Sequence, residues 1–415
     1  MSNEYKNNHY VPIWYQKRFM LPEQQDNELF YLNLSPDVFR DSNGGIHRAN
    51  EVKKLGPRHC FAEDDLYTVQ FGTQYSTEIE KLFFGRIDRD GNKAVEYYAN
   101  FSYPWDGGDH FQEMMMYMST QKLRTPKGLE WLSRKTQTTD KNQLLRRMLQ
   151  LRQLHCAIWT ESIWLIADAS QSNTKFIISD HPVTVYNRAC GPQWCRRNGD
   201  PDIWLNATHT IFPLSLDKIL ILTNLSWVRD PYQNEKSLRP NPNPFRNTIF
   251  KITETQTLRS LSEEEVQQIN FIIKSQARQY LAAAKEEWLY PEKFVSKSDW
   301  YTYGDGYLLM PDPRSVTYGG QMIIGHNDGT SSAFDEYGRR PGQPGFKGFD
   351  KSGVEDDWNT FQRFKGEFAR LFGPYRRGRS FEHMQLDNEY DDEEYHQYHL
   401  DLEKEYKNKR RNRSS

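Results

Sequence analysis

The chain has 415 residues, of which 37% are hydrophobic and 14% aromatic, so much of its burying power lies in Tyr, Phe and Trp. A formal net charge of -2 lacks the basic surplus of a dedicated duplex-binding protein, and four cysteines are too few for a disulfide scaffold at this length, which points to a reducing compartment. The polar start, 1–8, has no apolar signal core. Apolar runs such as 163–167 and 219–223 fall far short of the ~20 residues of a membrane helix, so a cytoplasmic protein without a membrane partner is expected.

In chain order, 29–32 and 66–71 read as short strands rich in aromatic and β-branched residues, with turn chemistry at 41–45 between them. A short helix is expected to open at Ser76 and run through Phe84, with Gly85 as its stop. Apolar spacing predicts a helix over 109–123, broken by Arg124-Thr125-Pro126 because proline disfavours helix in the residue before it. A second helix is predicted over about 141–159, with an apolar face of Leu144, Met148, Leu151 and Ile158 that also carries His155 as a core histidine. Short strands are predicted at 163–167, 176–179, 210–212 and 218–223. A long helix then opens on the capping box Ser262/Glu265 and continues to about Glu287, its inner face being Val266, Ile269, Ile273, Ala277 and Leu281.

The last third differs in texture. Residues 301–349 are rich in Gly, Pro, Asp and Tyr, and His326-Asn327-Asp328-Gly329 reads as a turn. An amphipathic helix is expected over 355–372, a surface suited to a protein partner. Acidic (387–394) and basic (407–413) blocks follow as solvated segments. The expected class is α+β, a mixed sheet of short strands packed with several long helices. The expected division is a core domain over 1–295, read either whole or as lobes 1–105 and 106–295, and a C-terminal extension over 296–415.

Several blocks share an order and spacing. Asn8-His9-Tyr10-Val11-Pro12 is followed by Trp14-Tyr15 and Arg18-Phe19. Later come Gln121-Lys122-Leu123-Arg124-Thr125-Pro126, then Phe176-Ile177-Ile178-Ser179-Asp180-His181-Pro182-Val183, Phe212-Pro213-Leu214-Ser215, and the helix 270–277. Together these resemble the bacterial His-Tyr-Val-Pro family catalogued as domain of unknown function 4238, over about residues 6–289. Ile13 departs from it, standing where the family has a polar residue. The resemblance implies a shared fold and supplies no activity.

Four side chains in those blocks carry chemistry. His9 is a base, a metal ligand or a strut that ties the N-terminus to the core. Arg124 clamps an anion, caps its own helix or pairs with Asp180. Asp180 and His181 stand at a strand end, where an acid and an imidazole converge if the strand stops at Asp180. The structural alternative is that Asp180 caps backbone amides. His209, which precedes a strand, is a weaker candidate beside these four. Taken as one site, these residues describe a metal-assisted phosphodiester hydrolase, nuclease-like and suited to a bacterial defence or toxin role. Asp180 would hold Mg²⁺ or Mn²⁺, and the substrate would be a nucleic acid or nucleotide. The other reading is a non-catalytic binding or regulatory protein whose polar motifs are structural. Cys190-x4-Cys195 has a spacing allowed for half of a zinc site, but His59-Cys60, adjacent in sequence, makes a geometrically poor second half, so free thiols are expected rather than structural zinc. There is no Walker A loop, GxGxxG, HExxH or GxSxG.

Overall fold

A computed structural model describes residues 7–24, 27–41, 45–71, 74–76, 83–101, 108–160, 162–195, 199–203, 205, 208–224, 255–300, 303, 309, 322–334 and 340–344. The fold is α+β. The chain divides into two compact units: Met1–Cys156, Ile166–Ile221 and Arg259–Leu308 form the first, and Ala157–Leu165, Leu222–Leu258 and Leu309–Ser415 the second. The expected helix over 355–372 and both charged blocks lie outside the described residues.

The first unit opens with β1 (Asn7–His9), which pairs with β6 (Ala62–Asp64), and the short helix α1 (Ile13–Lys17). A four-stranded antiparallel sheet has the order β10-β15-β2-β5: Ile178–Ser179, Tyr280–Ala283, Leu29–Asn33 and Val52–Leu55. Two hairpins, β3/β4 (Val38–Arg40, Ile46–Arg48) and β7/β8 (Val69–Phe71, Gln74–Ser76), stand apart from it. Helices α2 (Gly85–Ala99), α3 (Gly108–Arg124), α4 (Pro126–Thr136) and α5 (Lys141–Gln150) follow in sequence, and α7 (Glu263–Gln276) comes late. A second sheet has the order β11-β12-β13-β9-β14: Thr184–Asn187, Thr208–Pro213, Lys218–Asn224, Ser162–Asp168 and Gln256–Ser260.

Several expected elements stand where the pattern put them. α3 ends at Arg124, and Thr125 then caps α4, its Oγ1 accepting from the Gly128 N–H with Pro126 in the first turn. Ser262 and Glu265 form the reciprocal capping box of α7. Three expectations are corrected. Gly85 opens a 15-residue helix instead of stopping one; its buried face is Gly91, Ala94, Val95, Tyr98 and Ala99, a helical period. Residues 77–82 lie outside the described ones. The helix expected over 141–159 is two helices, α5 and α6 (Cys156–Thr160), separated by turns at 151–155, and α5 buries Leu145 and Met148 rather than Leu144.

The third correction matters most for the site. α7 ends at Gln276, and 280–283, expected as helix, are strand β15. The apolar pattern continues into Leu281, but the backbone N–H groups of Arg278, Gln279 and Tyr280 are captured by the Asp180 carboxylate. β15 then ladders onto β2, Leu281 opposite Leu32 and Ala283 opposite Phe30. Tertiary hydrogen bonds outweigh a helical propensity worth only tenths of a kcal/mol per residue.

Within the second unit, Trp164 Nε1 donates to the Trp159 carbonyl (3.0 Å) and Thr223 Oγ1 to the Leu309 carbonyl (3.2 Å). Met322–Gly325 (β16) and Ser331–Phe334 (β17) form a hairpin. The expected turn His326-Asn327-Asp328-Gly329 joins them, with Gly329 at φ 83°, a conformation that glycine adopts without a steric cost. Among the described residues no helix is long and apolar enough to cross a membrane.

Candidate functional site

The sequence blocks meet in the first unit as a hydrogen-bonded lattice. His9, on β1, bonds through Nε2 to the Arg58 carbonyl (3.0 Å), and burial lowers its pKa. The next residue, Tyr10, gives its carbonyl to Gln121 Nε2 (2.7 Å). Gln121 Oε1 in turn accepts from Arg124 Nε (2.7 Å), so the first two blocks share one glutamine. On α1, Tyr15 donates its hydroxyl to the Pro213 carbonyl (2.6 Å) and stacks on Phe212, while Arg18 Nε donates to the Leu214 carbonyl (2.8 Å). The opening block is thereby seated on the Phe212-Pro213-Leu214 block.

Arg124 is 1% exposed. Its guanidinium pairs with Asp88 at 2.8 Å and lies over the rings of Phe84 and Tyr117. Its carbonyl accepts from the Tyr67 hydroxyl (2.9 Å). The pairing with Asp180 does not occur; Asp88, on α2, is the partner, and no open face of the guanidinium is left for an anion clamp.

Asp180 is 3% exposed. Oδ1 accepts from Arg278 N (2.9 Å), and Oδ2 from Gln279 N (2.6 Å) and Tyr280 N (2.9 Å). Burial pushes its pKa up, while these three bonds and the nearby Lys127 charge pull the other way. Of the two readings of this residue, the geometry is that of a cap on backbone amides, with both oxygens already in use where a metal would have to bind. Among the described residues no three His, Cys, Asp or Glu side chains come close enough to share a metal ion.

His181 points away from Asp180 into a separate cluster. It is 2% exposed; Nδ1 lies 2.6 Å from Thr125 Oγ1, and Nε2 lies 3.1 Å from Asp200 Oδ2 and 3.2 Å from Lys122 Nζ. Asp200 also pairs with Lys122 through Oδ2 and with Lys127 through Oδ1 (2.6 Å). Lys127 Nζ also donates to the Gln276 carbonyl at the end of α7 (2.5 Å), and Lys122 Nζ to the Val183 carbonyl (3.3 Å). Burial, then the Lys122 charge, lowers the pKa of His181 to about 4. Burial alone would raise the Asp200 carboxyl, but Lys122, Lys127 and His181 hold it well below the ordinary carboxylate range. Burial likewise lowers Lys122, with Asp200 opposing.

The order Asp200–His181–Thr125 has the residue types of a nucleophilic triad, and its burial argues against that use. Thr125 Oγ1 accepts from Gly128 N (3.1 Å) and lies within hydrogen-bond distance of His181 Nδ1, whose other ring nitrogen lies against Asp200. The hydroxyl is fully buried. An activated nucleophile must instead meet a substrate within hydrogen-bond reach.

The expected constellation therefore separates. His9 keeps Arg58, Arg124 keeps Asp88 and Gln121, Asp180 keeps the 278–280 amides, and His181 keeps Thr125, Lys122 and Asp200. His209, buried on β12, has its ring tilted by 35° against that of Tyr186, and burial lowers its pKa to about 3. His155 is the core histidine expected, near Ser119 and Trp131, with a pKa of about 3 set first by burial. Cys190 and Cys195 are free thiols.

Sequence reading missed Thr125, Lys122, Lys127 and Asp200. Thr125-Pro126 is a readable cap signal for α4. Asp200 carries no such mark, because Gly199-Asp200-Pro201 reads as an ordinary turn.

An open cleft lies in the same unit. Its volume is about 470 Å³, and its floor is Leu66, Pro126, Leu129 and Leu144. Glu63, Glu130, Arg134 and Arg278 form the rim. Arg278 Nη2 pairs with Glu130 at 2.6 Å while its own backbone N–H is held by Asp180. The buried acid thus fixes the backbone of a residue whose side chain borders the cleft.

Residues 155–287 match the family described as Protein of unknown function (DUF4238). The matched residues include His155, Asp180, His181, Asp200, α7 and β15; the His9 and Arg124 blocks lie outside them. No curated protein and no solved structure matches the chain.

Proposed function

We propose that the first unit is a non-catalytic binding module, in which the polar motifs are a structural frame and the ligand sits in the cleft edged by Arg278. The carrying observation is the link between the two. Asp180 takes three backbone amides of 278–280, and the first of these residues places its guanidinium on the cleft rim.

The cleft's size lies within the ~300–1,000 Å³ of small-molecule sites. Its floor is apolar and its rim carries two guanidiniums and two carboxylates, which suits a small zwitterion with an apolar body, amino-acid-like or dipeptide-like. The Arg278–Glu130 pair is 35% and 50% exposed on its two side chains. Such exposed pairs are worth little, so a ligand carboxylate displaces Glu130 at small cost. The rival reading, a metal-assisted phosphodiester hydrolase, needs His9, Arg124, Asp180 and His181 to face one substrate, and each is committed to internal partners.

Calorimetry with the dipeptide Leu-Phe, and with its N-acetylated, C-amidated form, tests the proposal. Binding of the free dipeptide is expected to weaken about tenfold or more on capping and on Arg278→Ala. Equal affinity for both forms, or no binding by either, refutes it. The wild type incubated with labelled RNA and DNA and Mg²⁺ or Mn²⁺ tests the rival. Cleavage that disappears in a folded Asp180→Asn protein would replace the binding reading with the hydrolase.

A further inference from the structure

Cys190 and Cys195 are separated by four residues in sequence and 3.7 Å between their sulfur atoms. The intervening Gly191-Pro192-Gln193-Trp194 makes the approach local. Pro192–Trp194 is one short helical turn, closed by a bond from Cys195 N to the Pro192 carbonyl (3.2 Å) and entered from Cys190 N to the Asn187 carbonyl (3.1 Å). Cys195 Sγ also lies 3.5 Å from the Gly191 carbonyl, so its thiol hydrogen has an acceptor inside the turn. Both residues are partly exposed, unlike fully buried Cys60. Gly191 is held closely: a Cβ there would meet the Gln193 side-chain amide at 2.6 Å. Two partly exposed thiols 3.7 Å apart on one tight turn have the placement that dithiol chemistry needs.

We infer that Cys190 and Cys195 form a redox-active dithiol that closes to an intramolecular disulfide by exchange with a small disulfide such as oxidised glutathione. The Cys190 thiolate attacks one glutathione sulfur; the glutathione S–S bond breaks and one glutathione thiolate leaves. Cys195 then loses its proton and attacks the Cys190 sulfur of the mixed disulfide, releasing the second glutathione. The two protein thiols are oxidised, one glutathione disulfide is reduced to two thiols, and the two thiol protons pass to the released glutathiones. Cys195, hydrogen-bonded within the turn, is the resolving partner. This site is independent of the cleft and of the reading placed on it.

The test is intact and peptide-level mass spectrometry of the full chain after equilibration with mixtures of oxidised and reduced glutathione. The wild type is expected to lose two hydrogens, with the bridge mapped to Cys190 and Cys195, and to return to the dithiol on adding excess reduced glutathione. Cys195→Ser is expected to stop at a glutathione adduct on Cys190, which shows that the second thiol resolves the first. Cys190→Ala and Cys195→Ala, checked for an unchanged melting temperature, are expected to form no bridge. A wild type that keeps all its thiols free, that accumulates a stable adduct without closing, or that forms its bridge through Cys60 or Cys156 overturns the inference.

Discussion

Replacing Asp180 with alanine separates a structural acid from a catalytic one. The carboxylate accepts three backbone N–H bonds, from Arg278, Gln279 and Tyr280, at 2.6–2.9 Å, in a place where water cannot replace it. Hydrogen bonds to a charged acceptor contribute about 1.5–3 kcal/mol each, and a buried donor left unsatisfied costs about 1–3 kcal/mol. Against this stands the desolvation of the carboxylate itself, which the variant no longer carries, so a net loss of about 3–5 kcal/mol is expected. For a unit of this size that corresponds to a fall of roughly 10 °C in melting temperature. The released amides also free the helical pattern that runs on from α7 through Leu281, so some strand signal from 280–283 should give way to helix in far-ultraviolet circular dichroism. Asp180→Asn keeps one acceptor oxygen and should fall by about half as much. Urea unfolding with circular dichroism and differential scanning calorimetry reads both effects. A melting temperature of Asp180→Ala within about 2 °C of wild type would show that the three bonds contribute little, and the structural account of the Ser-Asp-His-Pro block would be wrong.

Acid sensitivity has a definite sign. His181 is held neutral, its pKa lowered from the ordinary 6.5 to about 4 by burial and the neighbouring Lys122 charge. Its contribution is fully present above pH 6.5 and drains away as pH falls toward 4, because the unfolded chain takes up the proton first. Across that window the slope of stability against pH includes up to about 1.4 kcal/mol per unit from this residue; His181→Gln should remove that component in urea titrations between pH 4 and 7, and an unchanged slope would refute it. Gly128→Ala should destabilise strongly, by roughly 3 kcal/mol or more, since a Cβ there would stand 2.1 Å from the Lys122 carbonyl and 2.6 Å from the Leu123 carbonyl, both backbone atoms. A chemical-denaturation midpoint equal to wild type would show that the α3–α4 junction relaxes freely.

The helix start that sequence identified, Ser262/Glu265, depends on a side chain bonding to amides three residues away, which is written in consecutive residues, whereas Thr125-Pro126 was read only as the break after α3 and in fact also caps α4. The strands at 29–32, 163–167, 210–212 and 218–223 were legible for a similar reason: their composition reflects the face they bury. The Ser179-Asp180-His181-Pro182 and Phe212-Pro213-Leu214 blocks, which lie within the residues matching the family model, were visible too, as was the core role of His155. Which partner each polar residue would take was not visible. Arg124 could have met Asp180 or Asp88, and Asp180 could have faced a ligand or three amides; these choices rest on atoms 36 to 100 residues away in sequence. The same holds for Asp200, which reads as a turn residue and is in fact the shared partner of two buried lysines and a histidine. The end of α7 shows the reason. Local pattern favoured continuing the helix through Leu281, but it contributes only tenths of a kcal/mol per residue, and the carboxylate bonds and the β2 ladder contribute several. Sequence alone determined the capping box that starts α7 and the strands whose composition marks the face they bury, because those depend on neighbours along the chain. Tertiary structure decided which polar groups meet, because the energy of a buried charge is set by what lies across the fold.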